Sequence, residues 1–250
     1  MSRPGGPGPV RTTAASIYAV VAIAGACVPV PAQVALAQQW HGSVAATSDY
    51  VLRGVSQTQG DGALQADLHY QGQAGWFAGA WGSTIDSGYD GRGHFELDLY
   101  AGWNWQPAAD WTARLAYARY LYPEASGETD YDYGELSARL AWRDRIVAVV
   151  AWAPDSVRYS PYGYDRTADA YAYELALRQP LGSRLAATLG AGWYDGYYGI
   201  DYGSWNLGLS GRVGPVELEL AHFANDDTAR AAFGRETAGD RWALTALWRF

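Results

Sequence analysis

The chain has 250 residues, of which one is cysteine, one is methionine and none is lysine. Cys27 lies in an apolar leader, so the rest of the chain carries no thiol and no disulfide framework can hold it together. Every basic side chain is arginine, and acidic residues outnumber basic ones by 26 to 18. No basic patch interleaved with aromatics stands out, which argues against nucleic acid as a partner. Long hydrophobic runs are also missing. The longest beyond the leader, Ile146 to Pro154, is far short of the roughly 20 residues that cross a bilayer as a helix. Phenylalanine is scarce at 5, whereas tryptophan and tyrosine number 12 and 19, ring types suited to a boundary that is apolar on one side and wet on the other.

The N-terminus reads as a secretory leader. Arg3 and Arg11 precede the apolar stretch Ala14 to Ala26, and Ala35-Leu36-Ala37 offers a small-x-small cleavage site ahead of Gln38. Lipidation at Cys27 is disfavoured, because Ala24-Gly25-Ala26 lacks the large aliphatic residue expected three positions upstream. The leader is therefore residues 1–37, and residues 38–250 form one domain. Removing the two leader arginines changes the formal charge from −8 to −10.

What fills that domain is period-two alternation. The C-terminal stretch places Trp242, Leu244, Ala246, Trp248 and Phe250 on one face and Arg241, Ala243, Thr245 and Arg249 on the other, interrupted only by Leu247. This is the pattern of a strand with one apolar and one polar side. Twelve such strands are predicted, near 41–55, 62–72, 76–85, 93–105, 111–122, 132–142, 146–153, 169–178, 184–194, 202–212, 216–224 and 240–250. Their connections alternate between short turns, such as Gln73-Ala74-Gly75 and Val213-Gly214-Pro215, and longer polar loops, such as 154–168 and 225–239. Short turns on one side, long loops on the other and an even strand number predict an all-β, antiparallel up-and-down transmembrane barrel of the outer-membrane kind. In hydrocarbon an unpaired backbone group costs several kcal/mol on the order of, so the sheet must close.

The strand faces assign an interior. Phe95, Leu97, Leu99, Trp103 and Trp105 oppose Glu96, Asp98 and Asn104, and Leu136, Leu140 and Trp142 oppose Glu135, Ser137 and Arg139. The strands near 76–85 and 146–153 leave the two faces ambiguous. Charges of the polar parity are expected to line the lumen: Asp67, Glu96, Asp98, Glu135, Glu174, Glu217 and Glu219 with Arg53, Arg114, Arg139, Arg178, Arg184 and Arg212. Tryptophans near short turns (Trp76, Trp103, Trp105, Trp111, Trp142 and Trp248) and tyrosines near long loops (Tyr120, Tyr122, Tyr131, Tyr133, Tyr171, Tyr173, Tyr194 and Tyr202) are expected to form two girdles.

The most distinctive local motif is Ser48-Asp49-Tyr50-Val51-Leu52-Arg53-Gly54-Val55. On one continuous strand Asp49 and Arg53 would share the lumen face about 13 Å apart and pair with neighbouring strands. Together with Gly75-Trp76-Phe77-Ala78-Gly79-Ala80-Trp81-Gly82-Ser83 and Glu96-Leu97-Asp98-Leu99-Tyr100-Ala101-Gly102, this motif resembles the TorF family of porin-like proteins. Thr84 stands where the family pattern has Asn before a hydrophobic-Asp pair. The resemblance implies a Gram-negative outer-membrane barrel and leaves its solute undefined.

Two readings of the lumen charges follow. One is a polar pore for passive diffusion of small polar solutes or ions, and the other is a narrow barrel filled by Arg–carboxylate bridges. A lipid-modifying enzyme would need a nucleophile and base near the wall, and His94, Glu96 and Ser83 or Ser87 are the best trio available. No Gly-x-Ser-x-Gly elbow is present, so the chain reads as a non-enzyme. No cofactor is implied, and no His or Cys clustering marks a metal site. The expected partners are outer-membrane lipids and lipopolysaccharide around the wall, and the barrel-assembly machinery, which would read Trp242, Leu244, Trp248 and Phe250 in the last strand. Homo-oligomerisation stays open, because no flat apolar face is evident.

Overall fold

The computed structural model describes residues 39–86, 92–125, 131–160, 163–197 and 199–250. The expected leader and its cleavage point between Ala37 and Gln38 lie outside these residues. Twelve strands form one closed antiparallel barrel. In chain order they are β1 (Gln39–Thr47), β4 (Ala63–Gln71), β5 (Trp76–Thr84), β6 (Phe95–Ala108), β7 (Trp111–Leu121), β8 (Tyr133–Trp142), β9 (Ile146–Ser160), β10 (Gly163–Pro180), β11 (Leu185–Asp195), β12 (Tyr202–Val213), β13 (Val216–Asn225) and β14 (Arg241–Arg249). Two further strands, β2 (Val51–Leu52) and β3 (Val55–Ser56), pair only with each other.

Closure is made by β1 and β14, in register from Ser43 opposite Arg249 to Thr47 opposite Thr245. The seam continues one step beyond the last strand residue. Gly42 and Phe250 exchange two backbone hydrogen bonds of 2.9 Å. A Cβ on Gly42 would fall 2.7 Å from the Phe250 ring, so this glycine makes room for it. Deleting Phe250 removes both bonds and the ring at once. The heat-modifiable, folded fraction on a gel should fall clearly relative to wild type, and an unchanged fraction would show that the seam is complete without it.

The side chains follow the period of the strands. Outward residues are apolar and exposed from turn side to loop side, as Leu64, Leu68, Leu99, Leu175, Leu189, Leu207 and Leu244 illustrate. A soluble monomer rarely exposes a contiguous apolar patch beyond a few hundred Å², whereas here the apolar band circles the wall. The two ambiguous strands resolve plainly. Phe77 and Ser83 on β5 are buried, Trp81 points the same way and is half-buried, and Val147, Val149, Ala151 and Ala153 on β9 are buried.

The structure corrects several sequence expectations. The first strand stops at Thr47 rather than near residue 55, and residues 48–62 turn into the barrel. The loop expected at 154–168 is largely strand, because β9 and β10 rise well above their neighbours and pair as far as Ser160 opposite Gly163. The loop at 225–239 carries two short helices, α1 (Asp227–Phe233) and α2 (Arg235–Ala238). The Asp226 carboxylate caps α1 by accepting from the Ala229 amide at 3.0 Å, and Gly234, at φ 82°, makes the break between the helices. Arg184 sits in the turn before β11 and is exposed rather than lumenal.

The tyrosine girdle is the largest correction. Tyr120, Tyr122, Tyr131, Tyr194 and Tyr202 are buried inside the barrel near its loop side. The outward aromatics at that level include Trp152, Tyr173, Trp193, Trp205 and Trp242, all exposed. At the turn side Trp76, Trp103, Trp105, Trp111 and Trp248 do face outward.

The turns themselves are small and wet. Arg143 bonds the Asp110 carboxylate at 2.9 Å across neighbouring turns. That hydrogen bond, more than the charge, holds the Asp110 carboxyl below its ordinary range. The sign follows: this contribution is present above the ordinary carboxylate range near pH 4 and is lost as the pH falls through the lowered value. Both groups are fully exposed, so Arg143→Ala should leave the folded yield at neutral pH unchanged, and a large loss would mean that the turn carries more than a surface pair.

Candidate functional site

Residues 48–62 form a hairpin that enters the lumen from the loop side. Its turn is Leu52-Arg53-Gly54-Val55, with φ 52° at Arg53 and 81° at Gly54. Two successive positive φ values at the centre of a two-residue loop make a type I′ turn, which glycine tolerates and arginine adopts at a cost of roughly 1–2 kcal/mol. Such a cost persists only where surrounding contacts fix the residue.

The contacts are numerous. Asp49 organises the base of the hairpin: its Oδ1 accepts from Ser56 Oγ at 2.6 Å and Thr58 Oγ1 at 3.1 Å, and its Oδ2 accepts from Arg241 at 2.9 Å. Gln57 donates its amide to the Tyr50 carbonyl at 2.7 Å and accepts from Arg92 at 2.7 Å. At the tip Arg53 bridges Glu135 on β8 at 2.7 Å and lies 3.8 Å from Glu174 on β10. Its guanidinium stands 4.3 Å from the centre of the Tyr197 ring, whose hydroxyl donates to the same Glu135 oxygen that Arg53 bonds, at 2.5 Å. Asn225 on β13 donates to the carbonyls of Gly54, at 2.7 Å, and Ala238 in α2, at 2.9 Å.

Apolar side chains dock the hairpin on three sectors of the wall. Tyr50 and Leu52 pack among Ile85, Tyr120, Tyr122 and Tyr131. Val51 meets Ala221, Phe223 and Ala243. Val55 lies against Ala151, Ala153, Ala170 and Ala172, with Tyr194 and Tyr202 alongside. The alanines explain the fit, since inward alanine on β9 and β10 leaves room that larger side chains would fill. Trp81 on β5 meets the Tyr50 ring edge-on at 5.5 Å. A recess beside the hairpin is lined by Arg53, Gln57, Arg92, Tyr122, Tyr133 and Tyr197, among others.

The sequence-predicted lumen residues separate into two storeys. Asp49, Arg53, Glu96, Asp98, Glu135 and Glu174 are buried around the hairpin. Asp49 and Arg53 reach the lumen on the inserted hairpin, not on a barrel strand, and their partners are Arg241, Glu135 and Glu174. The lower storey holds the rest. Tyr100 donates a short hydrogen bond to Asp67, which also contacts His69 Nδ1 at 2.7 Å. Arg114 bonds Asn104 at 3.0 Å and covers the Phe77 ring at 4.1 Å. Arg249 bridges Glu217 at 2.7 Å, and Arg139 lies 4.0 Å from Asp144. Glu217 and Glu219 are buried, Arg178 is half-buried, and Arg212 stands exposed at the turn-side rim, opposite Glu217 in the ladder. In the last strand Trp242, Leu244, Trp248 and Phe250 are exposed on the outer wall.

Of the enzymatic trio, Ser83 donates to the Thr84 carbonyl at 2.9 Å, His94 is exposed with its amide on Glu124, and Glu96 is fully buried beneath Tyr50. Ser83, His94 and Glu96 do not form a relay, and the alternative Ser87 lies outside the described residues. Sequence reasoning missed Tyr197, Asn225 and Trp81 as hairpin contacts. Gly54 beside Arg53 was the one signal of a turn.

A closed twelve-stranded antiparallel barrel with an apolar outer wall and a charged inner wall resembles outer-membrane porins in fold. The chain belongs to the Gcw_chp family of bacterial proteins of unknown function, whose sequence profile matches residues 32–248. Among solved structures it is similar to the NanC porin, at a TM-score of 0.54 and 10% identity over 82% of this chain and 97% of that one. It is also similar to the KdgM porin, at 0.51 and 7% over 85% and 99%. At these identities the likeness is one of fold. No curated protein matches the sequence.

Proposed function

We propose that the protein is an outer-membrane channel for passive passage of small polar solutes or ions, and that the hairpin of residues 48–62 is its constriction. One observation carries this reading: the obstruction is a loop whose base and tip are held by charged and polar contacts that can be exchanged for water, beside its apolar docking, inside a wall that carries charge around it and below it. A barrel serving only as a scaffold has no need of charged side chains on both storeys of its lumen. The resemblance to TorF proteins supports the same assignment at the level of a family. The KdgM porin, a barrel of similar fold, has also been solved in complex with disordered oligogalacturonate, which supports a polar ligand for this fold. The apolar band, bounded by aromatics on both sides, fits a bilayer core, with lipopolysaccharide facing the long loops. The exposed face of β14 ending at Phe250 is the segment for the assembly machinery to read.

The dense packing around Tyr50, Val51 and Val55 favours a second reading, a permanently closed barrel whose loops bind a partner. Conductance of the refolded protein in planar bilayers separates the two. Discrete conductance steps whose size changes on Glu135→Gln would support the channel. Silence from the wild type and from every hairpin variant would leave the closed barrel.

A further inference from the structure

The turn-side rim of the wall divides into two unlike sectors. From β14 through β1 and β4 to β7 it carries the exposed tryptophans Trp40, Trp76, Trp103, Trp105, Trp111 and Trp248. From β9 to β13 no tryptophan stands at this level. There the exposed side chains are Arg145, Arg184 and Arg212, beside the aliphatic Leu181, Leu185 and Val213.

These three arginines are set apart from most of the others by their lack of an acidic partner. Arg53, Arg119, Arg139, Arg143, Arg241 and Arg249 each have a carboxylate within 4.0 Å. Arg145, Arg184 and Arg212 pair with none among the described residues, in a chain whose formal net charge is −8. The adjoining acids are engaged: Asp144 lies 4.0 Å from Arg139, and Glu217, opposite Arg212 in the ladder, bonds Arg249 at 2.7 Å. Arg184 and Arg212 also face each other. They stand one step beyond the pair Leu185 and Gly211 in the β11–β12 register, and the Arg212 amide donates to the Arg184 carbonyl at 3.3 Å. Like charges directly opposite on neighbouring strands are destabilising, and an anion shared between them offsets that cost.

We propose that the β9–β13 sector of the turn-side rim is a docking surface for anionic phospholipid, whose phosphate is held by Arg184 and Arg212, with Arg145 farther along the same rim. The tryptophan belt of the other sector places this level among the head groups of the leaflet on the turn side. An indole offers one neutral donor, whereas a guanidinium offers a charged fork that matches a phosphate. The long arginine stem lets that fork reach over the rim from a strand end. Leu181, Leu185 and Val213 supply apolar surface for acyl chains beside the charges, a surface that a free oxyanion does not use. This juxtaposition favours lipid over a soluble anion. The docking rests on the barrel spanning a bilayer and is independent of whether it conducts.

Native mass spectrometry of the refolded protein in a neutral detergent, titrated with dioleoyl phosphatidylglycerol or with dioleoyl phosphatidylcholine, provides the test. An arginine near a lipid surface contributes about fivefold to the attraction of an anionic lipid. The wild type should therefore bind phosphatidylglycerol at least about fivefold more tightly than phosphatidylcholine. The double variant Arg184→Gln with Arg212→Gln should lose most of that preference, and Arg145→Gln, a second and separate variant, should lose part of it. Arg235→Gln, in the exposed helix α2 on the loop side, should keep it. All four side chains are exposed, and heat-modifiability on a gel shows that each variant is folded before it is titrated. Equal affinity of the wild type for the two lipids would overturn the surface, as would a preference unchanged in the double variant or one abolished by Arg235→Gln. Displacement of phosphatidylglycerol by inorganic phosphate at equal concentration would also overturn it, by making the rim a site for a free oxyanion.

Discussion

Arg53→Ala is expected to raise the conductance of the refolded barrel at least tenfold over wild type. Arg53 is buried and is the cation that bonds Glu135, with Glu174 close by. Removing one partner of a buried pair costs about 3–5 kcal/mol, because the remaining charge stays buried without compensation. Water can relieve that cost only if the hairpin lifts away from the two glutamates, so the penalty falls on the seated state and not on the released one. With tenfold for every 1.4 kcal/mol, about 3 kcal/mol would shift the seated-to-released ratio by about a hundredfold. Hydration of the remaining recess reduces this, which leaves tenfold as the conservative expectation. The left-handed backbone at Arg53 works in the same direction, since the tip loses the contacts that hold it there. Arg53→Lys should fall between the two, because a compact ammonium cannot bond Glu135 and lie flat on the Tyr197 ring together. Planar-bilayer recordings of the three proteins at equal reconstituted amounts provide the measurement. Identical traces from all three would show that Arg53 does not hold the constriction.

The wall was legible in the sequence, and what fills it was not, for a physical reason. Outward residues must be apolar at every second position, so Leu97, Leu99 and Trp103, or Leu136 and Leu140, define their face whatever lies within. Inward residues answer to a local environment that alternation does not encode. Val51, Leu52, Val55 and Ser56 have the composition of a strand, and they are strand, but they pair with each other rather than with the wall. Only Gly54 marked the turn, and a single glycine within a strand reads equally well as a bulge.

Tyr120, Tyr122, Tyr131, Tyr194 and Tyr202 were misplaced for a related reason, whereas Tyr173 is exposed on the outer wall as expected. A ring near a loop suits a membrane boundary and a packed lumen equally, and parity was the only discriminator. Tyr120, Tyr194 and Tyr202 carry the polar parity of their strands, shared with Asp98, Glu174 and Ser204 across the ladders, and therefore point inward. Trp152, Trp193 and Trp205 carry the opposite parity and point outward. The lumen charges were visible as a set because charge on the apolar parity is excluded, but their division into two storeys required the hairpin. Asp49 and Arg53 reach the lumen on the hairpin and not on the wall, so their pairing with Arg241 and with Glu135 and Glu174 could not be read from strand parity.

Gly54→Val should open the same constriction without altering any charge. Gly54 has φ 81°, a conformation that a β-branched residue adopts only as an outlier. A Cβ there would lie 2.1 Å from Asn225 Oδ1 and 2.7 Å from Ser204 Cβ. Asn225 cannot simply turn away, because its amide also holds the Ala238 carbonyl at the end of α2. The hairpin tip must therefore withdraw, and Arg53 withdraws with it from Glu135. The valine variant should conduct at least as strongly as Arg53→Ala, and combining the two should add little, since contacts broken by one displacement do not add. Asn225→Ala supplies the complementary case: it removes the clashing oxygen, so Gly54→Val in that background should lose less of the seated state than it does alone. Gly54→Ala alone, with a smaller side chain and the same backbone demand, should be intermediate. If Gly54→Val folds to wild-type yield and its conductance matches wild type, the tip is not seated against β12 and β13 in the membrane, and the hairpin is not the constriction.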